Sequence, residues 1–310
     1  MPLRPDDHSF LPQLQRFKKV GADVISLNVG FGPQSLDDHL RMLASFRSWI
    51  EAHAEEYALA GSLADIDRAR AEGRMAITFD IEGMAPLDRG DHGLVELFYD
   101  LGVRWMLIAY NRSNAAGGGC YDDEDPGLSP HGREILREMK RVGMLVCCSH
   151  TGYRTVRDVM DCADNPVLFT HSNPSAVHAH RRNIPDELIC ACAQTGGVVG
   201  INGIGVFLGE NDNRPETVVR HIDHVAQLVG PDHVGLSLDF CFDEVELQHF
   251  FATMRDTFPD MQSYQGDARM VPPEALTDIV AGLLQRGYRE KDLEKILGGN
   301  WRRVAAAVWR

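Results

Sequence analysis

No apolar run in this sequence approaches the roughly 18 residues needed to cross a membrane, so a membrane-spanning chain is excluded. Basic residues are scarce. The 31 Lys and Arg face 45 Asp and Glu, a formal charge of −14, and nothing resembles the basic stripe with which a nucleic-acid binder displaces counterions. The opening MPLRPDDHSFLPQLQ has no hydrophobic segment of the kind a secretory signal needs. Seven cysteines, an odd number with no CxxC pair, read as a reduced, cytoplasmic chain. Gly117–Gly119 reads as a flexible turn; with no lysine or GxGxxG spacing beside it, phosphate binding is unsupported. Repeats, low-complexity tracts and Pro/Ser-rich linkers are also missing, which leaves residues 1–310 as one expected domain.

What is present is ordinary globular composition, 44% hydrophobic and 25% charged, at a length that suits a single α/β barrel of about 250 residues or more. Short apolar runs alternate with longer amphipathic stretches. The runs are Ala22–Asn28, Met75–Ile81, Arg104–Ala109, Met144–Cys148, Val167–Thr170, Val198–Asn202 and Val234–Leu238. Each is almost continuously apolar, as a strand covered on both faces must be. Glycines at 21, 73, 102, 143 and 197 precede several of them and end the preceding helices. Helical spacing covers Leu36–Leu59, Leu63–Glu72 behind a Ser62/Asp65 capping box, Gly132–Val142, Arg154–Ala163, Pro215–Val229 and Pro273–Gln285, with a closing helix after Gly298. Repeated βα units with buried strands predict a parallel sheet, either a barrel or doubly wound.

Polar residues at the strand ends decide between the two. Asn28, Glu82, Tyr110, His150, His171, Asn202 and Asp239 each stand at or just beyond the C-terminal end of a run. A barrel gathers these ends on one face, where barrel active sites are built, whereas an open sheet spreads them along an edge. A Glu, two His and an Asp ending four strands is the donor set of a zinc site, so a (β/α)8 barrel is expected. Each residue has a plainer reading as well. Glu82 could cap a helix or pair with an arginine, His150 and His171 could be satisfied core histidines, and Asp239 could cap the next helix instead of acting as a base. Other polar groups read as bystanders: His221 and His224 as a solvated helical pair, Cys190 and Cys192 as helical core, Asp6 and His8 as a fraying N-terminal doublet. His178 and His180, in a loop, are also read chiefly as bystanders, although the loop could bring them to the site.

Taken in order, the motifs IEG at Ile81–Gly83, GMLVCCSH ending in His150, THSNPSAVHAHRRN from Thr170 to Asn183, GPDHVGLSLDF containing Asp239, and GGNWRRV near the C-terminus resemble the membrane dipeptidase family of zinc peptidases. The resemblance implies a (β/α)8 barrel with a binuclear zinc centre that hydrolyses dipeptides, often with a D-residue at the C-terminal position. Carried over by motif, Glu82 bridges the metals, His150 and His171 complete one of them, Asp239 moves the proton and Arg182 holds the substrate carboxylate. Asn202 is expected at the substrate. Two departures stand out. The family's H-x-D metal pair on a first strand has no counterpart, and neither does an eighth strand before Ala22; a start upstream of Met1 or the loss of one metal would account for both. Tyr110 stands where family members carry a histidine that contacts the scissile carbonyl, and its hydroxyl can still donate a hydrogen bond. The rival readings are a related amide, lactam or ester metallohydrolase and a non-catalytic barrel; homo-oligomerisation is expected on base rates alone.

Overall fold

The computed structural model describes residues 11–32, 34–259 and 268–310. Its strands are β1 (Val24–Phe31), β2 (Tyr57–Leu59), β3 (Met75–Glu82), β4 (Val103–Leu107), β5 (Leu145–Cys147), β6 (Val167–Leu168), β7 (Val199–Ile201) and β8 (Val234–Leu236). The helices are α1 (Leu14–Lys19), α2 (Leu36–Ala52), α3 (Leu63–Ala71), α4 (Gly93–Asp100), α5 (Pro130–Val142), α6 (Tyr153–Cys162), α7 (Asp186–Gln194), α8 (Gly205–Leu208), α9 (Pro215–Val229), α10 (Glu244–Thr253), α11 (Leu276–Gln285), α12 (Glu290–Glu294) and α13 (Asn300–Val308).

Every strand pairing is parallel, and the staves follow one another as β1, β3, β4, β5 and β6. A bridge from Phe169 to Val199 hands the sheet on to β7, which pairs with β8. The three-residue β2 lies along the first half of β3, on the side that β4 takes over farther along, and so adds no stave of its own. Seven staves are therefore traced, and among the described residues no ladder joins β8 to β1. The Asp6/His8 doublet and the rest of residues 1–10 lie outside the described residues.

Buried apolar side chains explain the layering. All eight residues of β3 are buried, so this stave is covered on both faces, and α2, α5, α6 and α9 turn apolar stripes onto the sheet. Helix starts follow their local chemistry: a full Ser35/Asp38 capping box opens α2, Ser62 and Ser129 cap α3 and α5, and prolines occupy the first turns of α5 and α9. One expected helix is corrected. Leu36–Leu59 ends at Ala52, because the chain turns at His53–Glu56 and Tyr57–Leu59 pairs with β3 as a strand. Among the described residues no helix is long and apolar enough to cross a membrane, and all seven cysteines are free thiols.

Candidate metal centre

Three staves deliver three donors to one point. β3 ends on Glu82, β5 runs through Ser149 to His150, and β6 runs through Thr170 to His171. The residues are 5, 6 and 3% exposed, and one donor atom from each lies within 4.8 Å of the others. His150 takes a left-handed backbone conformation (φ 61°), which turns its ring back from the strand end toward the cluster. His171 Nε2 faces Glu82 Oε1 at 3.4 Å and has no hydrogen-bond partner. A buried, unpartnered ring nitrogen opposite a carboxylate, with a second imidazole alongside, fits a cation. Burying these groups without a partner is costly.

Hydrogen bonds from the surroundings orient both rings, and at His150 they fix a ligand's tautomer. Asn111 Nδ2 donates to the Thr257 carbonyl at 2.9 Å, which leaves its Oδ1 to accept from His150 Nδ1 at 2.6 Å and frees His150 Nε2 as a lone pair. His171 Nδ1 pairs with the Thr170 hydroxyl at 2.9 Å, and its backbone N–H donates to Ser149 Oγ at 3.0 Å. The Tyr110 ring stacks on His150 with centroids 4.1 Å apart. Burial, together with the Arg182 charge, holds His150 well below its ordinary pKa, and burial takes His171 down to about 4. Burial and the neighbouring carboxylates of Asp239 and Asp80 push Glu82 well above its usual range. The two neutral imidazoles have lone pairs to give, and an arriving cation would favour the ionised form of the Glu82 carboxyl.

Arg182 is buried beside the cluster. Its Nη2 donates to His150 Nε2 at 3.1 Å and to the His171 carbonyl at 3.3 Å, while its Nε has no partner. Glu82, Tyr110, His150, Arg182 and Asp239 all line one cavity, so the strand-end residues do converge. Asp239, half-buried with φ 52°, accepts from Asn202 Nδ2 at 2.8 Å, and this is how Asn202 joins the site. Burial, with the Glu82 and Asp239 carboxylates near, raises the Tyr110 phenol well above its ordinary pKa, so it keeps its proton.

Several readings are corrected. Asn28 lies inside β1 instead of at its end and donates to Asp80 Oδ1 at 3.0 Å. His221 is fully buried, with Nε2 on the Leu208 carbonyl at 2.8 Å, because α9 turns that face inward; His224 pairs with Asp186. Gly117–Gly119 is no flexible turn: Gly118 N–H donates to Thr155 Oγ1 at 2.9 Å, Gly119 N–H to Asp122 Oδ2 at 2.8 Å, and any Cβ at Gly119 would overlap the Asn111 backbone. His180 accepts from the Arg182 backbone N–H at 3.1 Å and packs on Phe207, so it supports the arginine. Sequence reasoning missed Asn111, for which no local pattern exists. It also missed Asp80, raised by burial to about 7 and held by Ser26 and Asn28; a carboxylate two places before Glu82 on a strand shares its face, which was a usable signal.

Residues 10–250 match the sequence profile of the membrane dipeptidase family, peptidase family M19. The chain belongs to this family. It is 31% identical over 87% of its length to an uncharacterised Klebsiella pneumoniae protein from the pqqA 5′ region and covers 96% of that relative. Dipeptidase tcpJ of Claviceps purpurea is 30% identical over 88% of the chain, which spans 60% of the length of that curated relative. Among solved structures, an amidohydrolase from Pseudomonas aeruginosa superposes with a TM-score of 0.86 at 28% identity, covering 95% of this chain and 91% of that one. The membrane dipeptidase architecture is thus the α/β barrel of metallo-dependent hydrolases, and Glu82, His150 and His171 form its candidate metal site in this chain.

Proposed function

We propose that residues 1–310 form a single metallohydrolase barrel domain that acts as a zinc-dependent dipeptidase, with L,D-dipeptides among its substrates. The observation that carries this reading is the unpartnered His171 Nε2 facing Glu82 beside the buried Arg182. Glu82, His150 and His171 would hold the ion; imidazole and carboxylate donors suit zinc. A bound divalent ion supplies Lewis acidity, which makes water a stronger acid and polarises a carbonyl.

The chain's own residues do the rest. With His150 Nε2 given to the ion, Arg182 would offer its free Nε and the Nη2 that now meets that nitrogen to the dipeptide carboxylate. Tyr110, protonated, donates to the oxygen that gains charge as water adds to the carbonyl carbon. Asp239, with one oxygen steadied by Asn202, accepts the proton that water gives up and passes it to the amine nitrogen as the C–N bond breaks. The walls of the cavity keep bulk water from these groups. Seven free thiols support placement in the reducing cytoplasm. A homo-oligomeric state is part of the proposal and is read by sedimentation.

Elemental analysis and a panel of L,L- and L,D-dipeptides test the reading. His171→Ala is expected to lower both zinc content and turnover at least tenfold; unchanged zinc content would remove His171 from the ligands. The likeness to an amidohydrolase favours one second reading, hydrolysis of another amide or a lactam on the same centre. Lactam turnover without dipeptide turnover would select it.

A further inference from the structure

The cavity has two unlike sides. Glu82, His150, Arg182 and Asp239 make one of them polar. Facing them is hydrocarbon: Phe207 from α8, Leu247, Phe250 and Phe251 from α10, and Phe258 just beyond it. These rings interlock edge to face, Phe258 lying 5.1 Å from Phe251, 5.5 Å from Phe250 and 5.9 Å from Tyr110 between centroids. They belong to an apolar cluster separate from the main core between sheet and helices. The wall therefore stands over the site, on elements that follow β7 and β8, and meets the barrel where Phe250 packs on Phe31 of β1, 4.8 Å between centroids.

Arg182 ties the wall to one end of a substrate. Its guanidinium lies over the Phe207 ring at 5.1 Å. A carboxylate held by this arginine brings the Cα that bears it, and hence the side chain on that Cα, against Phe207 and the rings behind it. We infer that the wall selects dipeptides whose C-terminal residue carries a large apolar or aromatic side chain. Such a side chain leaves water for a surface of aromatic edges and faces with no charged atom, which favours it over glycine by tenfold or more in binding. The inference rests on the dipeptidase reading and names the substrate class of that same site.

The test measures kcat/KM of the zinc-loaded protein for L-Ala-Gly, L-Ala-L-Phe, L-Ala-D-Phe and L-Phe-Gly. The better Ala-Phe isomer is expected to exceed both glycine dipeptides at least tenfold. In Phe258→Ala and Phe251→Ala that advantage is expected to fall at least threefold, with Phe258→Leu between, each variant checked for folding by circular dichroism. Equal or poorer use of both Ala-Phe isomers overturns the inference, as does an equal advantage for L-Phe-Gly. An advantage that survives in all three folded variants removes the wall from selection and overturns it too. Turnover of none of the four dipeptides overturns the dipeptidase reading and takes this inference with it.

Discussion

Single residues carry consequences that composition hides. His221 sits among Arg220, His178 and His224, and burial takes its pKa to about 4, against an ordinary value of about 6.5. Between those values the unfolded chain binds a proton that the folded chain does not, so stability rises with pH across the window. The contribution is complete above about pH 6.5, is lost as pH falls toward 4, and amounts to roughly 3 kcal/mol. Urea denaturation at pH 7 and pH 4.5 is expected to show a shallower loss for His221→Gln than for wild type; equal losses would contradict the assignment. The helical position of His221 was legible in the sequence, but its burial was not. Charged neighbours in sequence suggested solvent, and only the packing of α9 under Leu208 decided otherwise.

At the scale of elements, Pro215–Val229 is read from the sequence with the bounds it has in the structure, since a proline opens it and Gly230 follows it. The strand runs were located correctly, but β1 and β3 extend past the runs read for them, and the other runs were read one or two residues too long. The reason is chemical: beyond β5 and β6 the backbone N–H groups of Ser149 and Thr170 turn to the Cys147 sulfur instead of a ladder partner. Helices α4 and α10 went unread: α4 has only eight residues, and in α10 the exposed Val245 blurs the apolar stripe of Leu247, Phe250 and Phe251. Gly143, read as a helix stop, closes α5 with φ 91°, and a Cβ there would lie 2.7 Å from the Val308 carbonyl oxygen of α13. Gly143→Ala is therefore expected to cost at least about 1 kcal/mol through both the left-handed conformation and the contact. An unchanged denaturation midpoint would show that α13 moves aside freely.

For the whole molecule, the proposed metal centre would also be a staple. Glu82, His150 and His171 come from three staves far apart in sequence, so an ion bound to them binds only the folded barrel. Free zinc at about a thousand times its dissociation constant is expected to add about 4 kcal/mol of stability, and a chelator to remove it. Thermal melts with and without zinc, on wild type and on His171→Ala, read this directly. Superimposable wild-type melts would refute binding to the native state.

The sequence by itself determined the α/β class, the parallel staves and most of the polar residues that meet at their ends. Periodicity and the position of a residue after an apolar run are local properties, and Glu82, His150, His171 and Asp239 announce themselves by them. Only the tertiary structure decided that Asn111 orients His150, that Arg182 lies between the two histidines and Phe207, and that α10 supplies an aromatic wall. Those contacts join residues from 11 to more than a hundred positions apart, and no periodicity along the chain encodes which side chains will share a cavity.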